Sequence, residues 1–315
     1  MPTWIGYDDA VGALNWAGAV EAVRAGHVLK KAELGDVFLG GGDATWLTRA
    51  ARIDGLGAGV KSVSVFPQNP EQGLPTVQGG MFFFEPVHGA LEAIIDSKLV
   101  TDFKTAADSV LGACLLARTS SKRLLIVGAG VVASNLARAY PEVMRDIEHV
   151  GVWARRPEQA EALVAALPDT DLSVSVVRDL EPAVGDADIV ASATGSSTPV
   201  IKGEWVQPGT HVDLIGAFRK DMREADDALI AKARIFVDSR ETTIGHIGEL
   251  TIPMDAGIIS KADVLGDFYE LLAGDCTGRM DPDDITVFKN GGGAHLDVMI
   301  ARYILDAVAD RDGRE

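Results

Sequence analysis

The 315-residue sequence is poor in cysteine, short of positive charge and free of long apolar runs. Its two cysteines, Cys114 and Cys276, stand far apart among small or apolar neighbours and belong to no C-x-x-C. A disulfide-stapled scaffold is therefore excluded, and both thiols are expected to be reduced in a cytoplasmic protein. The apolar runs fall well below membrane-spanning length and no signal-peptide pattern opens the chain, so no membrane association is expected. The six histidines show neither H-x-x-x-H nor H-E-x-x-H spacing, so no metal site is expected. Only 29 Lys and Arg stand against 46 Asp and Glu, for a net charge of −17. That deficit argues against nucleic-acid binding. It also sets a condition: any anionic ligand must be held by local cations, because the average field repels it.

What is present fits a globular enzyme. Hydrophobic residues make up 47% and charged residues 24%, and the length accommodates two domains with real cores. Up to about Lys31 the chain reads as helical, with Trp16, Val20 and Val23 at helix spacing. A β-rich stretch follows. "VKSVSVF" (Val60–Phe66) alternates as a half-buried strand, "PQNPEQGLPT" is a loop of turn formers, and "VQGGMFFFEP" with "GALEAIID" reads as a strand and its hairpin partner. "TDFKTAADSVLGACLLAR" (Thr101–Arg118) reads as a long helix. From Arg123 strands expected at 123–128, 149–153, 173–177, 188–192, 211–215 and 234–238 alternate with helices. That is the rhythm of a doubly wound parallel sheet. A glycine turn and a helix close the chain. There are no internal repeats, low-complexity tracts or long linkers.

The first of those strands runs into Gly128-Ala129-Gly130-Val131-Val132-Ala133, a G-x-G-x-x-A. Alone the pattern is weak, but here it follows a strand and opens a helix, the context a dinucleotide turn requires. Gly128 permits the tight turn, Gly130 lets the backbone approach a pyrophosphate, and Ala133 permits close helix packing. The second strand ends in "GVWARRPEQ", with Arg155 and Arg156 where an NAD enzyme usually carries an acid. Two guanidiniums suit a 2′-phosphate, so NADP(H) is favoured and NAD(H) remains possible.

Across nearly its whole length the chain resembles the ornithine cyclodeaminase/mu-crystallin family. The resemblance is carried by "GVKSVSVFPQNPEQGLPTVQG", "DSKLVTDFKTAADS", "GAGVVAS", "ATGSSTPVI", "GTHVDLIGA" with "MREADD", and "VFKNGGGAHLD". It implies an α/β fold in which a Rossmann-type, doubly wound parallel sheet is inserted into a second α/β domain for substrate binding and dimerisation. The expected bounds are 1–118 with 290–315 for the substrate domain and 119–289 for the dinucleotide domain. The expected assembly is a homodimer. Family members bind NAD(P)(H) and include cyclodeaminases, alanine dehydrogenases and reductases of imino acids.

The same resemblance nominates residues. Lys61 matches the family's pocket lysine and is expected to contact a substrate carboxylate and act in proton transfer. Lys104 stands where many members have arginine, and is expected to bind the carboxylate with its neighbour Thr105 close by. Gln78 is expected beside Lys61. The family's earlier-strand arginine has no clear match, and Arg49 or Arg52 is the substitute. Thr194 and Gly195 follow one sheet strand, where ligands of such sheets bind. Gly216 and Ala217 end the next, where the family places its nicotinamide. Phe218 departs from the family pattern, because cyclodeaminases carry an aspartate in this turn. His295 reads as a packed histidine, and Asp297 suits the start of the last helix.

These residues point to an NAD(P)H-dependent reductase of a small imino acid, whose C=N lies next to a carboxylate. The imine is either cyclic, such as pyrroline-2-carboxylate, or acyclic, such as iminosuccinate. Three alternatives stay open at this point: an ammonia lyase of the ornithine cyclodeaminase type, an amino-acid dehydrogenase, and a non-catalytic NADPH-dependent ligand-binding protein.

Overall fold

The computed structural model describes residues 2–41, 44–168 and 171–313. Two compact units partition the chain, Met1–Ala107 with Gly293–Glu315, and Asp108–Gly292. The division falls at 107/108 and 292/293, not at 118/119 and 289/290. The first boundary lies inside the helix Ser97–Leu116, whose continuous Ala, Val and Leu run gives no local reason for a break.

In the first unit six strands form one sheet: β1 (Thr3–Ile5), β2 (Glu33–Gly41), β3 (Ala44–Ile53), β4 (Gly57–Val65), β5 (Val77–Phe84) and β6 (Leu91–Asp96). The order is β1-β6-β5-β4-β3-β2, antiparallel except for the β1–β6 pair. The expected β-rich region is thus a meander, with β2 and β3 adding a hairpin ahead of the strand read from "VKSVSVF". The helices Trp16–Val28 and Ala294–Asp312 belong to the same unit and pack on each other. One close contact sets their spacing: an added Cβ at Gly26 would sit 2.4 Å from Met299.

Alternation along β4 defines the two sides of this sheet. Gly57, Gly59, Lys61 and Val63 are buried, and the residues between them are half-buried. Register then aligns Asp36, Arg49, Lys61, Met81 and Ile95 in one row across five strands. That row runs from charged at the β2 edge to apolar at the β6 side. The opposite side carries a row of different character: Ala50, Val60, Phe82, Ile94 and Trp4. Phe82 and Trp4 in it are exposed.

The second unit holds an eight-stranded parallel sheet. Its strands are β7 (Arg123–Val127), β8 (His149–Trp153), β9 (Ser173–Val176), β10 (Ile189–Ser192), β11 (His211–Leu214), β12 (Arg234–Val237), β13 (Val264–Gly266) and β14 (Thr286–Lys289). Their order is β13-β12-β14-β11-β10-β7-β8-β9. The chain winds outward from β7 through β8 and β9, then returns to β10 on the other side. The switch point of this Rossmann-type sheet therefore lies between β7 and β10. The six strands expected from sequence all form, each within about a residue of its expected bounds. β13 and β14 were not expected: β13 has three residues, and "TVFK" lies just before a glycine turn. The central strands β10, β11 and β14 are buried along their whole length, as parallel strands covered on both sides must be.

Candidate active site and dinucleotide turn

Three charged side chains meet inside the first unit. Lys61 comes from β4, Lys104 from the helix Ser97–Leu116, and Asp297 from the first turn of the helix Ala294–Asp312. Lys61 Nζ donates to Asp297 Oδ1 at 2.6 Å, and Lys104 Nζ lies 2.8 Å from the same oxygen. Thr101 Oγ1 accepts from Lys61 at 3.4 Å, while its own hydroxyl is anchored on Ser97 O. Lys104 also lies 3.4 Å from Gly293 O. The three residues are 5%, 7% and 1% exposed, respectively. Two ammonium groups thus share one carboxylate oxygen, and Asp297 Oδ2 is buried with no hydrogen-bond partner among the described residues.

The electrostatics follow from that geometry. Burial pushes the Lys61 ammonium down from its ordinary 10.5. Asp297 opposes the shift, Lys104 adds to it, and the result is about 7. Burial alone would raise Asp297. The ammonium groups of Lys104 and Lys61 outweigh it and hold the carboxyl below its ordinary range. With both lysines charged the cluster carries a net single positive charge, in a protein whose overall charge is −17. This is the local cation excess that the sequence required for an anionic ligand.

Arg49 stands directly across from Lys61 in the β3–β4 register. Its guanidinium is tied to Asp36 Oδ2 by Nε at 3.0 Å and Nη2 at 2.8 Å. Arg52 lies on the other side of β3, paired with Glu33 and Asp54 at the surface. The register does not place Gln78 beside Lys61. It pairs Met81 with Lys61 and Gln78 with Ser64, three positions along, where Gln78 is exposed. Thr105 is half-buried next to Lys104. His295 is buried edge-on to the His27 ring at 5.2 Å. Burial, then the neighbouring His27 and Lys104, keep it neutral. Asp297 is the residue whose role sequence reasoning missed. An acid at a helix start has a sufficient local explanation, and only the fold brings it to two lysines far away in sequence.

In the second unit the glycine turn has the form expected of an anion cradle. Gly128 has φ +128°, and a Cβ there would lie 2.7 Å from Ala193 O, so only glycine fits. Gly130 caps the helix Val131–Val143 without any side-chain hydrogen bond, and an added Cβ would meet nothing within 4 Å. A thirteen-residue helix thus opens without a side-chain cap and with room over its Gly130 cap, an arrangement that suits a phosphate. Ala129 and Val132 are half-buried, Val131 is exposed, and Ala133 is fully buried. Arg155 and Arg156 follow β8 and are both exposed.

Thr194 and Gly195 follow β10, and Gly216 and Ala217 follow β11 shortly after its last residue. The two turns are joined by a buried carboxylate. Glu224 Oε1 accepts from Ser192 Oγ at 2.7 Å, Thr194 N at 2.7 Å and Thr194 Oγ1 at 2.8 Å. Its Oε2 accepts from Gly216 N at 2.5 Å and Ala217 N at 3.2 Å. Phe218 beyond them is exposed beneath the Arg219 guanidinium. Neither nearby acid takes the place of the cyclodeaminase aspartate. Asp213 is fully buried under Ser109 and Tyr140, and Asp221 is an exposed partner of Arg219. Among the described residues no group of His, Cys, Asp and Glu could hold a metal ion, and no helix is long and apolar enough to cross a membrane.

Known proteins share this organisation. The sequence profile of the ornithine cyclodeaminase/mu-crystallin family matches residues 50–312. A delta(1)-pyrroline-2-carboxylate reductase of Paracoccus denitrificans is 58% identical over 308 residues, covering 98% of each chain. The solved delta(1)-pyrroline-2-carboxylate reductase of Thermococcus litoralis, in complex with NADH and L-proline, superposes with a TM-score of 0.92. It is 27% identical, again with 98% of each chain covered. The iminosuccinate reductase of Paracoccus denitrificans, in complex with NAD+, gives a TM-score of 0.89 at 28% identity, with 99% of this chain and 97% of that one covered.

Proposed function

Because the chain belongs to the ornithine cyclodeaminase/mu-crystallin family, we infer that it is an NAD(P)H-dependent reductase of small imino acids, with delta(1)-pyrroline-2-carboxylate as substrate and proline as product. The observation that carries this reading is the buried Lys61–Asp297–Lys104 cluster. Its excess positive charge is neutralised when one carboxylate arrives. The relative at 58% identity is named for the ring, whereas the iminosuccinate reductase, which acts on the rival acyclic imine, is 28% identical.

The chemistry divides between cofactor and protein. The dinucleotide, when bound, supplies the hydride to the imine carbon. The turn Gly128–Ala133 holds its pyrophosphate. Lys61 and Lys104 hold the substrate carboxylate, with Thr105 beside them. Lys61 Nζ, poised to titrate near neutrality, keeps a proton available to the imine nitrogen, because a protonated imine accepts hydride far better than a neutral one. Arg49 completes the cationic row, though half-committed to Asp36. Phe218, an exposed aromatic, cannot hold a substrate ammonium or relay a proton as an acid would. That separates this chain from the ammonia-releasing members. The expected result is oxidation of reduced cofactor with pyrroline-2-carboxylate and no conversion of ornithine to proline. Efficient ammonia release from ornithine without net cofactor consumption would overturn the reading.

Arg155 and Arg156 support a preference for NADPH, since no acid stands at the end of β8 to take a ribose hydroxyl. Charge-assisted hydrogen bonds contribute roughly 1.5–3 kcal/mol. Changing both arginines to alanine should weaken NADPH about ten- to a hundredfold and barely alter NADH, as read by cofactor fluorescence titration. Tighter binding of NADH than of NADPH by the unaltered protein would reject the preference. The exposed apolar row through Trp4 and Phe82 supports a homodimer, because such a strand face is costly to leave in water. Cys114 and Cys276 form no disulfide, which fits a cytoplasmic setting.

A further inference from the structure

The turns after β10 and β11 carry an unusual amount of buried polar structure. Glu224 is fully buried, yet it is not the partner of any single cation. It accepts five hydrogen bonds from Ser192, Thr194, Gly216 and Ala217, which exceeds the roughly four lone-pair sites of a carboxylate. Three of the donors are backbone N–H groups, and they come from two different turns. The clamp is itself held: Glu249, also fully buried, accepts from Glu224 N at 2.8 Å and Ala225 N at 2.9 Å. Lys289, at the end of β14, donates to Leu214 O and Asn290 O, both at 2.7 Å; burial raises the Glu224 carboxyl above its ordinary range, and the Lys289 charge opposes that shift. Close packing locks the same place. A Cβ on Gly216 would lie 2.0 Å from Thr194 O and 2.3 Å from Thr194 N.

The position of these turns says what they serve. The glycine turn after β7 takes the pyrophosphate, and the arginines after β8 mark the adenosine side. In the order β11-β10-β7-β8 the other half of a dinucleotide must lie over the strand ends of β10 and β11. Gly195 there has open space where a side chain would be. The inward N–H groups of Thr194, Gly216 and Ala217 are satisfied by Glu224, which ties the two turns together.

We propose that Glu224 is a positioning residue for the nicotinamide half of the cofactor, a buried carboxylate that fixes the Thr194–Gly195 and Gly216–Ala217 turns as one rigid platform without touching the ligand. The proposal rests on the nicotinamide-cofactor reading above. Glu224→Gln keeps the shape but turns an amide N–H₂ toward either the Thr194 or the Gly216–Ala217 donors, so one turn must move. The test compares two probes, NADH and ADP-ribose, which shares the adenosine and pyrophosphate but lacks nicotinamide. In Glu224→Gln the NADH dissociation constant should rise about tenfold, with ADP-ribose within twofold of the unaltered protein. KM for NADH should rise more than kcat falls. Thr194→Val, which removes one donor and leaves the carboxylate's other four hydrogen bonds in place, should show the same selectivity at about threefold, and it decides the matter if Glu224→Gln does not fold. Equal losses for both probes, or no loss for either, would overturn the positioning role. If the unaltered protein bound ADP-ribose but gained nothing from nicotinamide, the cofactor reading itself would fall and the proposal with it.

Discussion

Lys61→Met lowers kcat/KM for the imino acid by about a hundredfold or more and leaves cofactor affinity within a few-fold. The size follows from the work asked of the side chain, since a positioned acid–base group contributes roughly 10²–10⁴-fold. Methionine retains much of the stem that packs in the sheet interior. Asp297 keeps Lys104 as a partner, so the change does not strand a buried charge. What disappears is the excess positive charge, and with it the attraction for a carboxylate. Lys61→Arg should restore substrate binding better than rate, because a guanidinium keeps its proton. The pH profile gives an independent reading. The active form of Lys61 is the ammonium, and its folded pKa is about 7, so kcat/KM of the unaltered enzyme should fall as pH rises through about 7. That limb should vanish in Lys61→Arg. Stability moves the other way. Between pH 7 and the ordinary 10.5 an unfolded chain holds a proton that native Lys61 has released, so stability rises with pH across that window. Below it both states hold the proton and the cost of burying the charge is fully present. Retention of more than half the catalytic efficiency by a folded Lys61→Met would make Lys61 an ordinary lysine. The pocket would then have to be rebuilt around Lys104 and Arg49.

The residues that were legible in advance were explained by their local sequence or by a family motif. Gly128 and Gly130 sit between an apolar strand and a helix, so both the turn and its use follow from neighbours. The parallel strands β7 to β12 announce themselves as short apolar runs at regular spacing. Lys61 and Lys104 were visible as motif positions, and the fold brings them onto one oxygen. What escaped depended on distance in sequence or on register. Asp297 meets Lys61 across 236 positions, and nothing near "AHLD" signals that meeting. The family resemblance put Gln78 beside Lys61, but its place was decided by a pairing offset across β4 and β5. Glu224, Glu249 and Lys289 belong to segments whose spacing says only loop, helix and short strand. Their roles emerge when parallel strands align their ends.

Asp297→Ala should be the most damaging single change in the first unit. Two ammonium groups converge on this carboxylate at 2.6 and 2.8 Å, and its loss leaves them facing each other in the interior. Removing one partner of a buried ion pair costs about 3–5 kcal/mol. The melting temperature should therefore drop by on the order of 10 °C. Part of that loss is relieved when Lys61 gives up its proton, so the variant should regain stability as pH rises and should lose activity at neutral pH. A second substitution separates this electrostatic account from simple loss of packing. Adding Lys61→Met to Asp297→Ala removes one of the stranded cations, so the double variant should melt higher than Asp297→Ala alone. Independent contributions would instead make it melt lower. Asp297 also marks the acid limit of the native unit. Its folded pKa lies below the ordinary 3.8, so the stability it confers is fully present above that value and is lost as pH falls through the lower folded one. In Asp297→Ala that part of the acid unfolding profile should flatten. A double variant no more stable than Asp297→Ala would mean that the two lysines do not repel across the empty position, and the shared-oxygen cluster would lose its place as the organiser of the site.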